Sequence, residues 1–213
     1  MTIRQHRSVF LAAVAAVAVL AAPSSALAQD ASKAASKDAP PQMTPEQQAE
    51  MKAYEAAGTP GEPHRKLAAT AGSYSVKIRS WHEPGAPAME ETGKATRSMA
   101  LDGRVLVEQF EGTMMGSPFT GHGMSGYDNV TGKYWSTWND SMSTGLMVSS
   151  GTCDAQGACT FEGTYNDPVK KAPVKMRMTT RWTSPDTEVF EMHGPDKQGR
   201  EMKMMEMTYA RSK

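Results

Sequence analysis

Cysteine is nearly absent from this sequence: its 213 residues hold two, Cys153 and Cys159. Their spacing is not C-x-x-C, which argues against a redox or metal pair. No cysteine lies near Gln29, where a lipoprotein would carry one. Charge of one sign is lacking too, with 23 Lys and Arg against 23 Asp and Glu. Without residues 1–28 the balance is 21 basic to 23 acidic, and a chain near −2 offers no electrostatic case for binding nucleic acid. The one long apolar run, Val9 to Ala22, is about 14 residues where a membrane span needs about 20. G-x-S-x-G and H-E-x-x-H are both missing, so no nucleophile elbow or zinc-protease helix is available.

What is present begins with Arg4, His6 and Arg7, the apolar run, and Ala26-Leu27-Ala28. This order predicts a secretory signal peptide over 1–28, hence a periplasmic or secreted protein with no stable membrane insertion after cleavage. In an oxidising compartment Cys153 and Cys159 are expected to form a disulfide across a hairpin. Residues 29–43 are Ala, Ser, Lys, Asp and Pro with almost nothing to bury, and are expected to form a disordered leader. Thr44 and Pro45 open a helix that should stop at Gly58, giving an N-terminal helix and linker over 44–61. A second short helix around Leu67 stops at Gly72.

From Gly72 onward no helical pattern returns. Ten short runs separated by Gly, Pro, Asn and Asp read as strands. Val174-Lys-Met176-Arg-Met178-Thr-Thr180-Arg-Trp182 alternates most clearly, with Lys175, Arg177 and Arg181 on the wet face. In Lys133–Asn139, extended by Asp140, the residues Tyr134, Ser136, Trp138 and Asp140 share one face. Met202 to Met207 breaks the alternation, which a bulge between Met204 and Met205 would explain. Short turns make neighbours antiparallel, and ten such strands close to hide their edges. The expected fold is therefore mainly β: an antiparallel up-and-down barrel of about ten strands over 62–213, with one or two short N-terminal helices. A two-sheet sandwich is the alternative.

His64-x-x-Leu67, Gly72-x-Tyr74, Gly121-x-Gly123, Gly126-Tyr127-Asp128, Trp138-Asn139-Asp140-Ser141-Met142-x-Thr144, Glu201-x-Lys203-x-Met205-Glu206 and Tyr209-x-Arg211 together resemble the bacterial domain of unknown function family 1579. The resemblance covers residues 62–211. It implies a calycin-like closed barrel, similar in shape to lipocalins, fatty-acid-binding proteins and haem-binding nitrobindins, and it implies no catalytic activity. Tyr74 stands where the family usually has Trp, and either ring can plug a barrel end.

Gly121-His-Gly123-Met-Ser-Gly126 satisfies G-x-G-x-x-G, but it is followed by a turn and a strand instead of opening a helix, so the glycines are expected to let a strand bend and its neighbours approach. The expected function is binding of a small apolar or amphipathic molecule in the interior. Tyr134, Trp138, Met178 and Trp182 would supply contact area, and Tyr209 or Arg211 a polar anchor for a ligand carboxylate. No cofactor is expected. The alternative is haem held by His193, or copper held by thioethers, since 16 of the 17 methionines lie beyond residue 28. An enzyme using Asp140 and a nearby histidine ranks last.

Overall fold

In the computed structural model, which describes residues 43–213, ten antiparallel strands close into one barrel, in the order β1-β10-β9-β8-β7-β6-β5-β4-β3-β2. The strands are β1 (Gly72–Ser80), β2 (Met89–Ala100), β3 (Val105–Met114), β4 (Ser117–Asp128), β5 (Lys133–Asp140), β6 (Ser143–Cys153), β7 (Cys159–Asp167), β8 (Ala172–Ser184), β9 (Thr187–Pro195) and β10 (Glu201–Arg211). Each pairs with its sequence neighbour, and β1 pairs with β10 to close the ring, so no edge is left open. The barrel is the expected architecture, and the sandwich is excluded. The signal peptide over 1–28 and the leader over 29–43 lie outside the described residues, Met43 apart. Among the described residues no helix is long and apolar enough to cross a membrane.

Among the described residues two helices precede the barrel, α1 (Pro45–Gly58) and α2 (Glu62–Ala69). α1 buries no side chain, as its thin apolar face predicts. Its C-terminal end is tied down by polar contacts: Asn129 Nδ2 donates to the carbonyls of Ala56, Ala57 and Thr59, and Arg104 Nε donates to that of Gly58. These satisfy carbonyls that the helix end would otherwise leave without partners. α2 starts where Gly61 N donates to His64 Nδ1, and the buried His64 ring meets Tyr127 edge-on at 5.9 Å.

β2 begins at Met89, four residues before the alternating pattern suggests. Glu90 and Glu91 do not read as strand residues, but Glu90 sits opposite Arg79 in the β1–β2 register and pairs with it at 3.6 Å. In β10 the register slips between Lys203 and Met205, so Met204 is the extra residue of a bulge. Both Met204 and Met205 thereby face the interior cavity.

One side of the interior is packed solid. Tyr74, Val76 and Ile78 of β1, Ala95 of β2, Phe110 and Met114 of β3, Phe119 of β4, and Met207 and Tyr209 of β10 form the buried cluster. Burying a ring such as Phe110 whole contributes about 1.5–3 kcal/mol. Trp138, Trp182, Phe190 and Met205 pack against this cluster from the interior, and beyond them the barrel is hollow.

Candidate functional site

The hollow is a cavity of about 1220 Å³ running the length of the barrel. Its walls follow from the period-2 alternation of the strands. β8 turns Met176, Met178, Thr180 and Trp182 inward, β9 turns Glu188, Phe190 and Met192 inward, and β7 turns Phe161 and Tyr165 inward. β5 contributes Tyr134, Ser136, Trp138 and Asp140, the face the sequence singled out. Leu67, Ala69 and Thr70 of α2 and its cap close one end. At the other end Met115, Met142 and Leu146 line the cavity while remaining exposed to solvent.

Inside the α2 end lies a charged cluster the sequence reading did not identify. Arg97 is almost wholly buried and gives Nε to Glu108 and Nη1 to Glu188, each at 2.5 Å. Its guanidinium plane is stacked between two rings, 5.0 Å from Tyr74 and 4.5 Å from Tyr209. Burial alone would lower the pKa of Arg97, but the charges of Glu108 and then Glu188 outweigh it and hold the pKa above its ordinary value. The Tyr209 hydroxyl donates to Glu108 Oε1 at 3.3 Å, and burial pushes its pKa well up, so it remains a donor. A signal for this cluster existed: Leu106-x-Glu108-x-Phe110 and Glu188-x-Phe190-x-Met192 place each glutamate in step with inward apolar residues.

Tyr134, Trp138, Met178, Trp182, Tyr209 and Arg211 all line the cavity. The polar anchor expected of Tyr209 and Arg211 is, however, already engaged within the protein. Tyr209 serves Glu108, and Arg211 gives Nη1 to the Ala71 carbonyl at 2.6 Å and Nη2 to the Ala69 carbonyl at 3.1 Å. The remaining nitrogen of Arg211, Nε, faces Asp186 at 3.8 Å, and the guanidinium packs over Tyr74 and Trp182. Arg211 therefore fastens the end of α2 to the barrel. Two of its five N–H groups are thereby given to backbone carbonyls and its charge is shared with Asp186.

His193 lies on the outer face of β9, one residue out of step with the inward Met192, among Arg177, Glu191, Glu201 and Lys203. It does not line the cavity, and no histidine does among the described residues, so a haem inside the barrel could not take His193 as its axial ligand. Nor does any group of three or more His, Cys, Asp or Glu among the described residues form a metal-binding set. Asp140 has no histidine beside it in the cavity wall. Its Oδ2 accepts from Trp138 Nε1 and its Oδ1 from Met142 N, both at 3.0 Å, so it orients the indole.

Gly121, Gly123 and Gly126 lie within β4 and open no helix. The first two leave room for Trp138 inside the barrel, and the third for Trp135, whose ring a Cβ at Gly126 would meet at 2.4 Å. Cys153 and Cys159 form the expected disulfide, bridging directly opposed residues of β6 and β7.

Among solved structures, Rv2717c from M. tuberculosis is similar to this chain, at 11% sequence identity and a TM-score of 0.55 over 73% of this chain and 100% of that one. A redesigned beta barrel is aligned at 14% identity and a TM-score of 0.36, over 73% of this chain and 100% of the design. The first of these likenesses concerns the fold alone. No curated protein matches. The family model described as protein of unknown function (DUF1579) matches residues 59–211, and the chain belongs to that family.

Proposed function

We propose that this protein is exported and binds a small, mainly apolar molecule inside the barrel, to carry or sequester it. The observation that carries this reading is the cavity of about 1220 Å³, walled by Trp138, Phe161, Met176, Met178, Trp182 and Phe190. Binding pockets of drug-sized molecules are of this order, predominantly apolar with a few placed polar groups. Methionine walls suit such a role because unbranched thioether chains adapt to irregular shapes. The ligand would pass between Met115, Met142 and Leu146, since α2 covers the other end.

The test is titration of the mature protein with Nile red, an uncharged dye that brightens in apolar surroundings. One saturable site is expected, with Met178→Trp weakening it at least about tenfold by filling the cavity. Absence of saturable binding to the folded protein would overturn the reading.

A second reading is a soft metal such as copper(I). It is favoured by the Sδ atoms of Met176 and Met204, each of which lies 2.7 Å from where a Cβ on Gly194 would stand. Competition for copper(I) against a chromophoric chelator tests it, with Met176→Leu expected to lose the metal and retain the dye.

A further inference from the structure

We infer that the ligand's polar end is a hydrogen-bond donor, an ammonium or a hydroxyl, received by Glu188, and not a carboxylate. This rests on the reading of the barrel as a carrier of an apolar molecule, and adds the class of head group.

At the α2 end of the cavity one guanidinium, that of Arg97, is shared by two carboxylates, while Arg211 and Lys66 pair elsewhere. Arg97 divides its Nε and Nη1 between Glu108 and Glu188, so the cluster retains an excess of one negative charge. A ligand carboxylate arriving there would be the third on one guanidinium, with burial removing the water that would screen their repulsion. An ammonium would instead restore neutrality, and a hydroxyl would add no charge.

The acceptor is in place. Glu188 is more than nine-tenths buried and lines the cavity. Its Oε2 is taken by Arg97, while its Oε1 accepts no hydrogen bond from any described residue. Glu108 is less available, because its Oε2 receives Arg97 Nε and its Oε1 receives Tyr209. Glu188 Oε1 is not among the side-chain atoms sealed without a partner, so it opens onto the cavity, where a ligand's donor can reach it.

The other cations that line the cavity do not favour an anion. Arg211 is committed to the carbonyls of Ala69 and Ala71 and to Asp186. Lys66 pairs with Glu62 at 3.1 Å on the exposed side of α2. Asp140 and Asp154 also line the cavity, so its carboxylates outnumber its cations.

The experiment is displacement of bound Nile red by decylamine, 1-decanol and decanoate, which share one chain length and differ in the head. Decylamine and decanol are expected to displace the dye at concentrations at least about tenfold below decanoate. In Glu188→Gln the amine-to-decanoate preference should shrink to within about threefold, because Arg97 then faces a single carboxylate. Decanoate equal to or tighter than decylamine in the native protein would overturn the inference and leave the carrier reading intact, as would displacement by none of the three. Failure of Nile red itself to bind would instead remove the carrier reading. The native series decides the question even if the Gln variant does not fold.

Discussion

Trp138 lies against the bare backbone of Gly121, so closely that a Cβ on the glycine would stand 2.2 Å from the indole Cζ2. Gly123 faces the same ring, and Asp140, the register partner of Gly121, accepts from its Nε1. Any shift of the ring away from Gly121 therefore strains the bond to Asp140. Gly121→Ala is expected to drive Trp138 into the cavity at a cost of about 1–3 kcal/mol, the usual range for overpacking. Urea unfolding measures the loss, and Nile red binding should weaken in parallel. Gly58→Ala is the control, since nothing lies within 4 Å of a Cβ there, and should change stability by less than about 0.5 kcal/mol.

Arg211 joins two parts of the chain that are distant in sequence, β10 and the end of α2. Removing its guanidinium in Arg211→Ala takes away the donors to the carbonyls of Ala69 and Ala71. Hydrogen bonds to a charged group contribute about 1.5–3 kcal/mol each, and some of that returns as solvation of the freed carbonyls. The expected loss is about 2 kcal/mol. Amide exchange should report it locally: Thr70 and Ala71, whose N–H groups bond to Leu67 and Ala68, should lose protection while β5 keeps its own. Equal loss of protection throughout would mean that the contact holds the whole barrel and not its lid. Arg211→Lys should restore little, because one ammonium cannot span two carbonyls and two rings.

The barrel was legible in the sequence because its cause is local. Period-2 alternation in Val174–Trp182 and short turns at each reversal leave few ways to close ten strands, and even the Met204 bulge showed as a break in alternation. The wall residues Tyr134, Trp138, Met178 and Trp182 were legible for the same reason. The charged cluster was legible only in the inward parity of its two glutamates, and not as a cluster. Arg97, Glu108 and Glu188 lie on three strands, and nothing local to any of them says that a distant partner makes its burial tolerable. The bonds of Arg211 could not be read locally either, because its partners are backbone carbonyls about 140 positions away. The outward turn of His193 could have been read from Glu188, Phe190 and Met192, which occupy the opposite parity.

The disulfide closes the β6–β7 turn over a sequence separation of six residues. For a loop this short the chain-entropy account gives about 2–3 kcal/mol. Cys153→Ser with Cys159→Ser is therefore expected to lower the unfolding free energy by about 2 kcal/mol while the barrel still forms, since Asp154 Oδ1 accepts from the Gln156 and Ala158 amides and holds the turn independently. Denaturant unfolding of the oxidised, reduced and doubly substituted proteins checks this, with the last two expected to coincide. A collapse of the far-UV spectrum on reduction would show that the bridge is needed for folding itself.

His193 should give the protein a pH dependence separate from that of its carboxylates. Burial, and then the charge of Arg177, lowers its pKa below the ordinary value of 6.5, against opposing pulls from Glu191 and Glu201. Its Nδ1 is buried without a partner and its Nε2 is 4.0 Å from Glu191, so the folded protein offers a proton little reward. The unfolded chain binds that proton more readily, so stability present above pH 6.5 is lost as the pH falls from there through the lowered folded value. Glu201 and Glu206 behave as carboxylates held down by hydrogen bonds from Arg177 and Lys203, and their contribution is lost only below about 4.5. Unfolding free energies measured in urea at pH 7.5, 6.5 and 5.5 should therefore decline in the native protein and stay level in His193→Gln. A decline of equal slope in that variant would assign the dependence to some other group, whereas a common fall below 4.5 in both is expected of the carboxylates.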